Sequence, residues 1–294
     1  MTRLAGLELG GTNANLVLGT PREIVERCRL PVTDGADTLA RVAGQLLQWH
    51  EREPIEALGI ASFGPLQLDS GQPDYGHVVA TVKPGWDGAD VLGTLERAIG
   101  CPARIHTDVT GAALAEGAYG SAIGCHDFVY VTVGTGIGMG IIVGGRPVVA
   151  SLHPEAGHLR VRRMEGDSFG GVCSYHEDCL EGLASGSAVA TRARQPGDEV
   201  SDDSPVWPPV IDALAEGCSS IFLTLASERI VLGGGVINQR HWLVEEIAFK
   251  TAAKLGGYLP YIGERAPIVA ARLGADAGQR GALILAEQAL QSRA

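Results

Sequence analysis

The sequence predicts a duplicated α/β fold in two domains, with a ligand cleft expected between the halves. Two observations lead there. Short strand-like segments give way to alternating strand and helix, the pattern of an α/β domain. The opening arrangement of strand, glycine turn and strand then recurs: Leu4–Leu9 and residues 15–19 flank the first turn, and Phe128–Val133 and residues 138–143 flank the second. The 41 glycines fall in runs, which points to tight turns and close backbone approach to ligands.

Taken in order, Leu4–Leu9, residues 15–19 and residues 24–30 read as a β-meander separated by glycine-rich turns. Leu39, Val42, Ala43, Leu46 and Leu47 recur at helical spacing, so the periodicity predicts an amphipathic helix over 37–52. Ala57–Ser62 and Ala103–Thr107 read as buried strands, with a helix over Val91–Ile99 between them and another over 109–119. In the second half, Ile211, Leu214, Ala215, Cys218, Phe222 and Leu225 make a long helical stripe. Residues 229–232 form a short strand that ends in Gly233, Gly234 and Gly235, followed by a helix over 240–255. Leu283, Leu285, Ala286 and Leu290 mark a last helix, and 195–209, rich in Asp, Ser and Pro, reads as an exposed loop.

Composition narrows the function classes. With 294 residues, 45% hydrophobic and 19% charged, the chain can bury full cores. A net charge of −11 without a Lys/Arg cluster argues against a nucleic-acid partner. It leaves nucleotide binding open, because backbone N–H groups and a metal ion can hold phosphates. The amino terminus lacks the basic-then-apolar pattern of a signal peptide, and no apolar run reaches spanning length, so a cytoplasmic protein without a membrane partner is expected. Six cysteines in such a setting are expected as free or metal-bound rather than disulfide-paired.

Four motifs carry chemistry. Glu8-Leu9-Gly10-Gly11-Thr12-Asn13 sits at a strand–turn–strand where glycines admit a phosphate, Thr12 can donate to it, and an acid can hold a metal or its waters. An ordinary two-glycine hairpin would look the same. Thr132-Val133-Gly134-Thr135-Gly136-Ile137-Gly138 repeats the arrangement. It is neither a dinucleotide fingerprint, which needs a strand-to-helix setting, nor a Walker A loop, and the pairing of two such hairpins favours a phosphate clamp. Asp108, in Thr107-Asp108-Val109-Thr110, stands where a strand passes into a helix; it could accept a proton from an attacking hydroxyl, or simply cap the helix. Cys173-Ser174-Tyr175-His176-Glu177-Asp178-Cys179 places three soft or borderline ligands within seven residues, and His158 can complete a tetrahedral zinc set of His158, Cys173, His176 and Cys179. No open position is evident, so the expected metal is structural.

Together these motifs resemble the ROK family (repressor, open reading frame, kinase) of bacterial sugar kinases, within the actin-like ATPase superfamily, over nearly the whole chain. The turn from Glu8 to Asn13 matches the family's first phosphate motif and Thr132 to Gly138 the second. Asp108 falls on the catalytic aspartate, Glu155-Ala156-Gly157-His158 on the sugar-binding signature, and Leu232-Gly233-Gly234-Gly235-Val236 on the turn against adenosine. His176 stands in for one cysteine of the usual zinc motif. With Ala61-Ser62-Phe63-Gly64-Pro65, Lys83-Pro84-Gly85-Trp86 and Cys179-Leu180-Glu181-Gly182, this variant is similar to the fructokinase subgroup. Three departures stand out: Glu8 replaces the usual Asp, Asn13 a lysine, and Thr107 and Thr110 an Asn pair.

The resemblance implies an actin-like ATPase (ribonuclease H-like) duplicated fold. Its small α/β domain would span 1–115, completed by a helix over 277–294, and its large domain, carrying the zinc motif, 116–276. It implies ATP-dependent phosphorylation of a hexose, D-fructose to fructose 6-phosphate, with Mg²⁺ and structural Zn²⁺, by a homodimer. Glucose- or mannose-type ROK kinases and a catalytically weak sugar sensor are the alternatives. Asp108 would be catalytic. Glu155, His158, Glu181 and Thr107 would bind sugar. Glu8, Gly10, Gly11, Thr12, Asn13, Thr132, Gly134, Thr135, Gly136, Gly233, Gly234 and Gly235 would bind the nucleotide. Repressors of the family carry a DNA-binding helix-turn-helix ahead of the first phosphate motif; with Glu8 so near the first residue, none is expected here.

Overall fold

The computed structural model of the chain describes residues 3–81 and 83–292. In β1 (Leu4–Leu9) successive side chains alternate between the faces of a sheet, as the strand's period of two requires. Ala5, Leu7 and Leu9 go to one face, and Leu4, Gly6 and Glu8 to the other. The strands β2 (Asn13–Gly19) and β3 (Ile24–Pro31) follow as an antiparallel meander. After α1 (Gly35–Arg52) come β4 (Ala57–Ser62), α2 (Val91–Ile99), β5 (Ala103–Thr107) and α3 (Asp108–Tyr119). The sheet order is β3-β2-β1-β4-β5, with β4 parallel to both β1 and β5. On the first face the sheet packs against Leu39, Val42, Leu46 and Trp49 of α1 and Leu92 and Leu95 of α2. Helix α1 starts where Asp34 accepts a hydrogen bond from the Asp37 N–H at 3.0 Å, an ordinary N-cap.

The second half contributes β6 (Phe128–Val133), β7 (Ile137–Val143), β8 (Arg146–Pro147), α4 (Leu180–Ala184), α5 (Gly186–Ala193), α6 (Trp207–Leu225), β9 (Arg229–Gly233), α7 (Gly235–Gln239), α8 (Trp242–Leu255) and β10 (Ile268–Ala270). Its sheet runs β8-β7-β6-β9-β10. Strand β6 is antiparallel to β7 and parallel to β9, which is parallel to β10. Both sheets therefore repeat one topology, an antiparallel meander extended by two parallel strands, and the duplication inferred from the two glycine hairpins is real.

The last helix, α9 (Ala277–Gln291), lies on the other face of the first sheet, where Leu283, Ala286 and Ala289 meet Leu4, Val17 and Ala57. Glycines make that approach possible: a Cβ at Gly59 would collide with the Ala282 carbonyl, and one at Gly6 would lie 2.9 Å from Val17 Cγ2. Two compact units divide the chain: Met1–Ala115 with Val148–Pro154 and Ala275–Ala294, and Glu116–Pro147 with Glu155–Gly274. Within the first, His153 Nε2 accepts the Leu66 N–H at 3.0 Å and ties 148–154 to that unit.

Several boundaries differ from the sequence reading. Strand β2 begins at Asn13, two residues before the predicted start, because the turn closes with Gly10 N–H on the Asn13 carbonyl at 2.9 Å. The stretch 195–209 is not one exposed loop. Val200, Val206 and Trp207 are buried, and α6 already starts at Trp207. Its prolines mislead because the first helical turn tolerates a residue without an N–H. The helix expected over 240–255 is α8, starting at Trp242, and the short α7 precedes it without having been expected. Among the described residues no helix is long and apolar enough to cross a membrane.

Candidate functional site

The β1–β2 turn exposes Gly11 and Thr12, with Gly10 and Asn13 half-buried on either side. A Cβ on Gly11 would meet nothing, so packing does not demand a glycine at the apex. Asn13 Nδ2 donates to Thr12 Oγ1 at 2.9 Å and so orients that hydroxyl. Beneath the turn, Glu8 takes a hydrogen bond from Asn15 Nδ2 at 2.9 Å. Burial pushes the Glu8 carboxyl above its usual range; hydrogen bonds from Asn15 and Gln279 oppose the shift, and the Asp276 charge adds to it. The helix α9 comes so close that a Cβ on Gly278 would collide with that carboxylate. Lys83, which the sequence could not place, donates from Nζ to the Gly11 carbonyl.

Asp108 is the first residue of α3, at the carboxyl end of β5. Sequence reasoning could not separate a catalytic carboxylate from a helix cap, and the structure gives the cap to Thr107. Thr107 Oγ1 accepts the Thr110 N–H at 3.2 Å and donates to Thr110 Oγ1 at 2.8 Å. Both threonines are buried, 3% and 4% exposed. The hydroxyl of Thr107, expected on the sugar, is engaged at the helix terminus. Asp108 Oδ1 accepts the Val109 N–H at 2.8 Å, and the peptide dipoles of α3 favour an anion at this end. On the same strand, His106 Nδ1 accepts the Thr107 N–H at 2.9 Å. Burial first, then the charges of His153 and Arg104, hold His106 down to about 3, so it is neutral.

In the second unit the β6–β7 turn is closed by Gly134 N–H on the Gly136 carbonyl at 2.9 Å. Thr132 lies within β6, paired in register with Gly138, rather than at the apex. Glu181, near the start of α4, accepts the Ile137 N–H at 2.9 Å. The short 3₁₀ turn Ala156–His158 packs on the same hairpin so tightly that a Cβ on Gly157 would overlap the Ile137 carbonyl. Three segments distant in sequence are thus locked together, and Glu155, His158 and Glu181 become electrostatic neighbours. Although Glu155 keeps solvent access, partial desolvation raises its carboxyl; His158 opposes this and the Glu181 charge adds to it.

The four expected metal ligands converge: one donor atom each from His158, Cys173, His176 and Cys179 lies within 4.8 Å of all the others. His158 Nδ1 is 3.6 Å from Cys173 Sγ and 3.5 Å from Cys179 Sγ, and His176 Nδ1 is 3.8 Å from Cys173 Sγ. A tetrahedral zinc with Zn–S of about 2.3 Å and Zn–N of about 2.0–2.1 Å needs N···S edges of about 3.5–3.6 Å. The set fits zinc. Arg160 and Arg163 both pair with Asp178 beside it, holding the loop between the ligands.

A cavity of about 380 Å³ opens over Gly134, Thr135 and Gly235. The other two glycines expected on adenosine, Gly233 and Gly234, are closely packed. A Cβ at Gly233 would lie 2.5 Å from Tyr130 Oη, and Gly234 has a φ of +87° and abuts the Val133 backbone. Sequence reasoning missed Gly186, Ser187, Asp198, Gln239 and Arg240 in the lining. The buried Arg240 folds 197–202 against this cavity: its guanidinium lies 4.7 Å over the Trp207 ring and donates to the carbonyls of Gly197 at 3.1 Å and Val200 at 2.6 Å. No local signal announces these residues, because the tether spans some forty positions. A larger cavity of about 620 Å³, near the buried Asp167–Arg192 pair, carries none of the motif residues.

The ROK family pattern matches residues 4–289. The chain belongs to the ROK family. The ROK relatives similar to it include a fructokinase of Pediococcus pentosaceus, 37% identical over 98% of this chain and 99% of the relative. A fructokinase of Zymomonas mobilis is 36% identical over 95% of each chain. Among solved structures, the ROK hexokinase of Thermus thermophilus superposes with a TM-score of 0.79 at 27% identity, covering 99% of both chains. The two repeated sheets are accordingly those of the actin-like ATPase (ribonuclease H-like) fold.

Proposed function

We propose that this ROK protein transfers the γ-phosphoryl group of ATP to a hexose, D-fructose, giving fructose 6-phosphate. Full-length similarity to proteins named fructokinase supports the reaction class and the sugar. The observation that carries the mechanism is Asp108, held at the carboxyl end of β5 while Thr107 does the capping. Asp108 accepts the proton of the attacking 6-hydroxyl as the bond to phosphorus forms. Glu155, His158 and Glu181 orient the sugar through its hydroxyls. Gly11 and Thr12 in one hairpin and Thr135 in the other present backbone N–H groups and hydroxyls to the phosphates, Gly10 and Gly134 close those turns with their own N–H groups, and the cavity over Gly235 takes the nucleoside. Mg²⁺ bound with the nucleotide would neutralise phosphate charge, and Glu8 is the residue that would hold it or its waters. Zinc would be held by His158, Cys173, His176 and Cys179. Because His158 uses Nδ1 toward the sulfurs, its Nε2 is left for the sugar.

A coupled ADP-release assay over fructose, glucose, mannose and aminosugars tests the reading, with kcat/KM expected to be highest for fructose. A preference for glucose or mannose would move the assignment within the family. Sugar binding without ADP release would indicate a sensor. Light scattering on the same preparation reads the homodimer that the family resemblance implies.

Two glycines separate ligand approach from packing. Gly134→Ala should leave stability within about 0.5 kcal/mol, because a Cβ there meets only Thr132 Oγ1, at 4.0 Å. It should nevertheless raise the KM for MgATP, by about tenfold if contact with one phosphate group is weakened by about 1.4 kcal/mol. Gly157→Ala should instead destabilise the fold, since the Ile137 carbonyl occupies the place of its methyl. Thermal melts and nucleotide kinetics on the two variants check this.

A further inference from the structure

The first phosphate hairpin lacks a cation of its own. Position 13 carries Asn13, which is engaged with Thr12 Oγ1 and brings no charge. The chain nevertheless delivers an ammonium to this turn from elsewhere. Lys83 Nζ donates to the Gly11 carbonyl at the apex, 4.5 Å from the centre of the Phe63 ring and 5.5 Å from that of Trp86. Two aromatic faces attract and hold a cation, and an ammonium has three N–H donors, so one hydrogen bond to Gly11 leaves two. Among the described residues no carboxylate pairs with Lys83. Trp86 is itself fixed, fully buried, with Nε1 on the Thr33 carbonyl at 2.7 Å.

We propose that Lys83 is the phosphate-binding cation of this enzyme, donating to the β/γ-phosphates of ATP at the β1–β2 hairpin in place of a lysine at position 13. The proposal rests on the sugar-kinase reading above and adds a residue that reading does not contain. Three features support it. The turn it caps is the exposed one, with open space at Gly11. Partial burial pulls the Lys83 ammonium below its ordinary range, so an anionic partner would be favoured there. Arg160, a cation two residues beyond His158, is committed to Asp178 and the His176 carbonyl beside the Cys/His cluster. Charge at this place matters most as negative charge shifts during transfer.

The test begins with wild-type turnover on MgATP and fructose, which judges the kinase reading independently. Lys83→Met is then expected to lower kcat/KM for MgATP about 10²-fold, the usual cost of one lost electrostatic donor, with the fructose KM changed by no more than about threefold. Lys83→Arg should retain most of the activity. Asn13→Lys should restore at least about tenfold in the Lys83→Met background yet lower activity in the wild type, where two ammonium groups would repel. A purely structural tether would not be rescued by a charge on another strand. A readout independent of turnover is acetylation of Lys83 by acetic anhydride, followed by peptide mass spectrometry: MgAMPPNP should protect the amine and fructose alone should not. Near-wild-type ATP kinetics in Lys83→Met, a rise in fructose KM alone, a gain from Asn13→Lys in the wild type, or absence of nucleotide protection would each overturn the proposal. If no sugar is phosphorylated at all, the kinase reading fails, while the protection experiment still decides whether Lys83 meets a nucleotide.

Discussion

Asp108→Asn is expected to lower kcat about 10²- to 10⁴-fold, the range for loss of a general base, while fructose binding is kept. The amide preserves the shape of the side chain and can still accept the Val109 N–H, which lies 2.8 Å from Oδ1. It cannot take a proton. The structure sharpens this test by giving the capping role to a neighbour. Because Thr107 Oγ1 is the acceptor for the Thr110 N–H, Asp108→Asn should cost no more than about 1 kcal/mol of stability, the value of an anion at a helix N-terminus. Thr107→Val should do the reverse. It removes the cap, worth about 0.5–2 kcal/mol, and leaves the buried Thr110 hydroxyl short of its donor. Turnover should then fall far less than in Asp108→Asn. The pair is read by steady-state kinetics, equilibrium sugar binding and thermal melts. An Asp108→Asn enzyme that kept more than about a tenth of the wild-type rate, well above the range for base removal, would reduce Asp108 to a structural residue.

The second large effect concerns the metal set. Protein purified without added metal should carry about one zinc per chain by elemental analysis, as a closed four-ligand site implies. Cys173→Ser should lose that zinc and unfold earlier, because the binding free energy of a structural metal is folding free energy. A loss of about 2 kcal/mol would correspond to a fall of about 4–8 °C for a unit of this size. The consequence should reach the sugar: His158 Nδ1 faces Cys173 and Cys179, and the 3₁₀ turn Ala156–His158 carries that histidine. Sugar KM should therefore rise in Cys173→Ser even at temperatures where the variant stays folded. A preparation free of metal yet as stable as the zinc-loaded protein would refute the site.

How much of this was legible beforehand follows the range of the interactions involved. The strands, the two glycine hairpins and the repeat of their arrangement could be read because strand alternation and turn chemistry act over a few residues. So could the ligand cluster, three of whose members lie within seven residues, and the placing of Asp108 at a strand–helix junction. A local rule fails where it has an exception, as at the prolines that begin α6.

Local pattern was enough for the duplicated α/β architecture, the two glycine turns, the cluster of His158, Cys173, His176 and Cys179, and the place of Asp108. What it could not determine is which of several equally suitable residues stands where. Gly11, Gly134 and Gly235 look like Gly157 and Gly234 on paper, yet the first three border open space or nearly so and the last two are filled by neighbouring backbone. Thr107 became a cap only through its bonds to Thr110. Lys83 reaches a turn 72 positions away, and Arg240 folds a loop some forty positions earlier against the cavity over Gly235. These placements depend on packing between distant segments, which no local periodicity encodes, so they emerge only once the chain is folded.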